Sequence, residues 1–233
     1  MPYAIAKSAY VEKLEDLIDS DFEVMSVPAK IDKTAKHLNC YMNIERKVKT
    51  AGGRIQYGWA IMENALMCEA QHHAVWENKM GALIDIAPPN QTVSSILFIP
   101  DDRFIYEGRS IDNIRMNITG NAVVDHVIAV AVIINVILEN GYRMSDDRVE
   151  LGSKESTLYN KYHVLGRNLT LFAMEGYEVE SKCYCNSGKA YNSCHGLGLL
   201  EMVKTDGLQL VKKPIYPYTT PFADIPSDIT ELR

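Results

Sequence analysis

Near the C-terminal end of this 233-residue chain, four side chains able to bind a soft metal fall close together: Cys183, Cys185, Cys194 and His195. Zinc takes four such ligands in a tetrahedron, with thiolate sulfur at about 2.3 Å and imidazole nitrogen at about 2.0 Å. Two cysteines one residue apart, a reversal, then an adjacent Cys-His pair can supply that set. Asn186, Ser187 and Gly188 provide the reversal, because these residue types favour turns and would fold the second ligand pair back onto the first. Four protein ligands leave no coordination position for water, so a metal here holds structure and does not activate a nucleophile.

A second set of chemistry-bearing residues lies earlier: Cys40, His73 and Asp85. Thiol hydrolases need a thiolate, an imidazole that takes and returns its proton, and a third group that orients the ring. Cysteine at a helix N-terminus gains thiolate character from the helix dipole. Asn39-Cys40 precedes a helical stretch, whereas His73 and Asp85 fall in segments of extended character. His72 competes for the base role, and strand alternation sends it to the opposite face. Counting by twos places His72 with Cys68, Ala70, Ala74 and Trp76, and His73 with Glu69, Gln71 and Val75; His73 is therefore expected to face an open polar cleft. An oxyanion donor would be the backbone N–H of Cys40 together with Asn39, Gln56 or Trp59. The competing reading is that Cys40 is a small buried hydrophobe and that His73 and Asp85 serve the fold. Cys68 reads as core packing.

The elements that must position these residues can be sketched from hydrophobic periodicity. Residues 8–19 carry apolar positions at helical spacing behind Ser8 as an N-cap, and a second helix is expected over 30–47, ended by Gly52-Gly53. From Arg54 the pattern becomes extended in four segments, which predict an antiparallel meander; the short Asn78–Gly81 connection would pair the His72-His73 strand with the neighbourhood of Asp85. After Asp101 the chain reads as mainly helical, with helices over 121–140, stopped by Gly141, and over 153–175. Asp101-Asp102 and Asp146-Asp147 read as solvated turns or helix caps. Asp125 and His126 have no third ligand at helical spacing, so they do not suggest a second metal site. The fold class expected is α+β: N-terminal helices and an antiparallel four-stranded sheet, a helical middle, and a small C-terminal zinc hairpin. In domain terms this gives an α+β domain over 1–176, with an expected hydrolase core at 30–105 and a helical part at 106–176. A metal module at 177–200 and an extended tail at 201–233, containing Pro214, Pro217, Pro221 and Pro226, complete the chain.

Composition narrows the classes further. A chain that is 47% hydrophobic and 23% charged can bury a substantial core. With 24 basic against 30 acidic residues, the net charge of -6 disfavours nonspecific binding to a phosphate backbone, so nucleic acid is not an expected partner. Lys182 and Lys189 on the hairpin leave only a weak case for a nucleoprotein surface. The N-terminus lacks the apolar stretch and cleavage pattern of a secretory signal, and five cysteines is an odd number, so a cytoplasmic protein with reduced thiols is expected. The longest apolar run, Val127 to Leu138, falls short of the roughly 20 residues of a bilayer span and reads as a core helix.

Two resemblances extend this reading. The pattern C-x-C-x8-C-H, with Ser187-Gly188, Tyr191 and Gly196, closely resembles the SEC-C motif, which is found at the C-terminus of the preprotein translocase motor ATPase and appended to many otherwise unrelated proteins. It implies one structural Zn2+ held by Cys183, Cys185, Cys194 and His195, and a surface that docks a protein partner. The order of a helix cysteine, a strand histidine and a strand aspartate over residues 35–100 resembles transglutaminase-like and other papain-like cysteine hydrolases. The glutamine that precedes the cysteine in papain-type enzymes is absent here, where Lys36, His37, Leu38 and Asn39 stand instead. Together these imply a cytosolic thiol-dependent hydrolase or acyltransferase with an amide or peptide substrate, using Cys40, His73 and Asp85. The alternative is a noncatalytic adaptor that recruits its partner through the zinc module.

Overall fold

In a computed structural model, residues 1–88, 93–109, 111–144 and 149–210 are described, and the chain divides into two compact units, Met1–Met116 and Asn117–Arg233. The fold is α+β, as the sequence patterns indicate, although the sheet of the first unit is larger than the four strands expected.

The first unit begins with α1 (Ala9–Ile18), whose N-terminus Ser8 caps by accepting a hydrogen bond from the Val11 N–H at 3.2 Å. Val11, Leu14 and Ile18 form its buried stripe. A short strand β1 (Met25–Pro28) follows, then α2 (Cys40–Ala51), β2 (Arg54–Glu63), β3 (Met67–Glu77), β4 (Leu83–Ile84), β5 (Ser95–Pro100) and β6 (Ile114–Asn117). The strands are ordered β1-β5-β2-β3-β4, with β6 also pairing β3. This is not the meander suggested by chain order. β5 leaves β4 and inserts between β1 and β2, matching Phe98 with Met25 and with Ala60.

Beyond β4 the chain meets β1 again. Asp85 N–H donates to the Pro28 carbonyl at 3.0 Å and Lys30 N–H donates to the Asp85 carbonyl at 2.8 Å. Because β1 already forms the opposite edge of the sheet, this parallel bridge between Ala29 and Asp85 joins the two edges and curls the sheet into a small closed barrel. Val27, Ala60, Val75, Ile96 and Phe98 fill its interior, with Tyr3 and Leu83 packed against them. On the outer face Ile44 and Val48 of α2 pack on Ala74 and Trp76 of β3, together with Ile86. α2 begins inside the 30–47 window and runs past it to Ala51, with Cys40 as its first residue.

The second unit is helical. α3 (Ala122–Glu139) is capped by Asn121, whose side chain accepts from Val123 N–H at 2.9 Å. It is long and apolar enough to cross a membrane, yet residues on nearly all its faces, including Val124, Val127, Val130 and Ile133, are buried within the unit. A two-stranded ribbon of β7 (Tyr142–Arg143) and β8 (Val149–Glu150) leads to α4 (Ser153–Met174), which packs on α3. A turn of 3-10 helix at Tyr191–Ser193 and then α5 (Leu199–Leu208) complete the described part. α5, where an extended tail was expected from residue 201, is tied to α4 by Asp206, which accepts from Tyr162 at 2.8 Å and pairs with Lys161 at 2.9 Å. The proline-containing segment from Pro214 and the pair Asp146-Asp147 lie outside the described residues.

Candidate functional site

β2 and β3 form a long antiparallel ladder in which Gly58 opposes His73 and Trp59 opposes His72. Alternation along β3 puts His73 on the interior face with Val75 and His72 on the outer face with Ala74. Gly58 suits this crowded place: a Cβ there would lie 2.2 Å from the Ile99 carbonyl oxygen and 2.6 Å from the Phe98 ring. His73 is thus enclosed, at 4% exposure, and not in the open cleft expected from its polar strand neighbours.

The bridge that closes the barrel also delivers Asp85, 1% exposed, to His73. His73 Nε2 lies 3.2 Å from Asp85 Oδ1, which also accepts from the Ala87 N–H at 3.0 Å. Asp85 Oδ2 is buried without a hydrogen-bond partner. Nε2 is committed to the carboxylate, and the Cys40 side chain lies near enough to act on the ring as well. Burial pulls the His73 pKa down, but the Cys40 charge and the bond to Asp85 outweigh it and hold the ring up at about 10. The structure therefore brings the three residues together around an imidazole that favours its protonated form.

His72 behaves in the opposite way. Its Nε2 donates to the Phe104 carbonyl at 2.9 Å and its Nδ1 accepts from the Tyr41 hydroxyl at 2.8 Å, which fixes a neutral tautomer. Burial pushes its pKa down to about 4. The two histidines thus differ in their surroundings: one meets a carboxylate, the other a carbonyl and a phenol.

Cys40 is half-buried at the start of α2, where the first-turn N–H groups have no intrahelical acceptors. The Asn39 side chain makes no capping bond. Two side chains considered as oxyanion donors are otherwise engaged: Gln56 donates to Asp102 at 2.8 Å and Trp59 donates to Asp101 at 2.9 Å. Asp101 is accordingly a buried acceptor that also binds Arg103, and not a solvated turn residue. Sequence reasoning missed Tyr3, which reaches the barrel interior through a bridge to Met62; its pKa is raised by burial, then by the charges of Asp85 and Cys40. Nothing in the local sequence around Tyr3 signals this. Cys68 is fully buried, and burial pushes its thiol up to about 12.

In the second unit, the candidate metal centre is a β-turn hairpin. Cys183 N–H donates to the Lys189 carbonyl at 2.9 Å, Tyr191 N–H donates to Ser181 at 2.8 Å, and Lys182 bridges Ala190. Asn186 and Gly188 adopt left-handed φ of 59° and 78°, the turn chemistry read from the sequence. The 3-10 turn then brings Cys194 and His195 back. The ligand atoms of Cys183, Cys185, Cys194 and His195 lie within 4.8 Å of one another. Sγ of Cys185 and Cys194 are 3.6 Å apart, and His195 Nδ1 lies 3.3 Å from Cys183 Sγ and 3.5 Å from Cys194 Sγ. A tetrahedral ion with metal–sulfur bonds of about 2.3 Å has ligand–ligand edges of roughly 3.5–3.8 Å, so the donor set fits a metal ion. Cys185 is drawn down to about 6 by the Ser187 hydroxyl and backbone N–H, which favours the thiolate a metal needs. Tyr191 sits at 0% exposure beneath the hairpin, its hydroxyl 2.7 Å from His126 Nδ1 of α3 and its ring packed on Phe172 of α4. His126 is thus part of the hairpin's support, and among the described residues the Cys3His set is the cluster able to hold a metal. No family model, no curated protein and no solved structure matches this chain.

Proposed function

We propose that the first unit is a thiol-dependent hydrolase or acyltransferase acting on an amide or peptide carbonyl, and that the second carries a structural zinc in a SEC-C-like hairpin. The observation that carries the enzymatic reading is the buried pair in which Asp85 binds Nε2 of His73, with Cys40 near enough to act on the same ring. In such a relay the imidazole carries the proton that the attacking sulfur gives up. In the proposed reaction, Cys40 Sγ attacks the substrate carbonyl carbon, and the carbonyl electrons move to an oxygen stabilised by first-turn N–H groups of α2. Collapse of that tetrahedral species expels the amine, to which His73 gives its proton. The resulting thioester is cleaved when water attacks the acyl carbon and loses its proton to His73, releasing the acid and regenerating the Cys40 thiolate. With an amine or alcohol in place of water, the same sequence transfers the acyl group. Asp85 keeps the ring oriented throughout.

The zinc would be held by Cys183, Cys185, Cys194 and His195 and has no part in these steps, because its four protein ligands leave no position for substrate. We assign the hairpin to the docking of a protein partner in the cytoplasm. If the thiol site is inert, this role makes the protein an adaptor; the observation favouring that second reading is the fully protein-ligated cluster itself.

The discriminating experiment is the pH dependence of iodoacetamide labelling at each cysteine, followed by mass spectrometry on zinc-loaded protein. Cys40 is expected to label at least about tenfold faster than Cys68 at neutral pH, and His73→Ala to remove that advantage. Equal slow labelling of Cys40 and Cys68 would discard the triad in favour of the adaptor.

A further inference from the structure

Cys40 and Tyr41 are consecutive residues at the start of α2, and His72 and His73 are consecutive residues in β3. The packing brings these two pairs together: Tyr41 hydrogen-bonds His72, and Cys40 lies near enough to His73 to act on its ring. Neighbouring residues of a strand face opposite ways, so the two contacts lie on opposite faces of β3. The helix end therefore straddles the strand. Its body lies on the outer face, with Ile44 and Val48 against Ala74 and Trp76, while its first side chain comes near enough to the inward-facing His73 to act on its ring.

A helix packed by apolar contacts alone can slide or rotate at modest cost, since such contacts are non-directional. The outer contact supplies direction. Tyr41 Oη lies 2.8 Å from His72 Nδ1 and 3.1 Å from the His72 carbonyl oxygen, and the Tyr41 ring stacks on Tyr106 with centroids 4.0 Å apart. His72 is in turn fixed by the Phe104 carbonyl at 2.9 Å and by the edge of Trp59. Both ring nitrogens of His72 are thus committed, and the loop after β5, which carries Phe104 and Tyr106, holds this arrangement from outside.

We propose that Tyr41 and His72 are positioning residues for the Cys40–His73 pair: their hydrogen bond on the outer face of β3 sets the angle and depth at which α2 presents Cys40 to the inner face. This inference rests on the thiol-hydrolase reading. The role belongs to the hydroxyl of Tyr41 and the tautomer of His72, neither of which touches the reacting atoms.

The test uses the full chain, zinc-loaded, in five forms: wild type, Tyr41→Phe, His72→Phe, the double variant and His73→Ala. Iodoacetamide labelling of Cys40 is followed against pH, with Cys68 as an internal reference and circular dichroism reporting the fold. Tyr41→Phe keeps the ring stacked on Tyr106 and removes one hydrogen bond, so it is expected to fold normally, slow Cys40 labelling at neutral pH about five- to tenfold, and move the pH midpoint of labelling upward. The double variant should be no slower than His72→Phe alone, because both changes break one contact. A merely structural role would lower the melting temperature without moving that midpoint. A Cys40 profile in Tyr41→Phe and His72→Phe that overlays wild type, while His73→Ala still abolishes the fast reaction, overturns the positioning role and leaves the triad standing. If wild type and His73→Ala label alike, the hydrolase reading falls, and the positioning role falls with it. Should His72→Phe unfold, Tyr41→Phe alone decides.

Discussion

At the scale of single residues, one strand holds two histidines with opposite protonation. His73 is held up at about 10 although burial opposes it, whereas burial lowers His72 to about 4. The linkage signs differ accordingly. Protonation of His73 contributes stability that is complete below its unfolded value of about 6.5 and is lost as pH rises toward 10. For His72, and for His126, which burial also lowers to about 4, the unfolded chain binds the proton more readily, so stability falls as pH drops from about 6.5 toward 4. Melting temperature against pH should therefore be bell-shaped; His73→Ala is expected to flatten the alkaline limb between about 7 and 10 while leaving the acid limb unchanged. Asp85→Asn keeps the shape but withdraws the charge beside Nε2, and a loss of about tenfold to a hundredfold in Cys40 reactivity is expected by timed alkylation, with the fold intact by circular dichroism. Much of this was legible from residue type and order, since only a few side chains can do the chemistry. The reason given for preferring His73 did not hold. Period-two counting separated the histidines correctly, but the polar company of Gln71 and Glu69 pointed to an open face, whereas barrel closure buries it.

At the scale of elements, positions are fixed by close approaches that only small residues permit. Gly196 follows the last metal ligand, and a Cβ there would lie 2.5 Å from Tyr191 Cε1. Gly196→Ala is expected to push the Tyr191 ring from its place beside His126, cost about 1–3 kcal/mol in the second unit, and weaken metal retention, measured by competition with a chromogenic chelator. Helices α1, α3 and α4 were readable because their apolar stripes are long and their caps, Ser8 and Asn121, carry the expected side chains. The strand pairing was not. β1 and β6 span four residues each, too few for alternation to register, and β1 ends in Pro28. Missing β1 hid the partner of β5, and adjacency in sequence then suggested a meander. The true order depends on non-local pairing, which no local pattern encodes.

At the scale of the whole molecule, each unit carries one candidate centre and builds it from its own elements. The barrel closes at Asp85, beside His73, and α3 and α4 support the hairpin through His126 and Phe172. Chelation is expected to raise hydrogen exchange across residues 177–200, as it removes the ion around which both ligand pairs converge, while the amides of β2 and β3 keep their protection. A partner captured by the full chain should be lost under the same treatment.

The most direct measurement is acylation by an activated ester, p-nitrophenyl acetate, read by intact mass and peptide mapping at neutral pH. Wild type is expected to acquire a single acetyl group on Cys40 and then lose it to water; Cys40→Ala should acquire none there, and His73→Ala should neither form nor turn over the adduct at a comparable rate. Acetyl groups scattered over lysines with Cys40 unmodified, or Cys40 modified at the same rate with His73 replaced, would contradict the assignment of Cys40, His73 and Asp85 as one catalytic device.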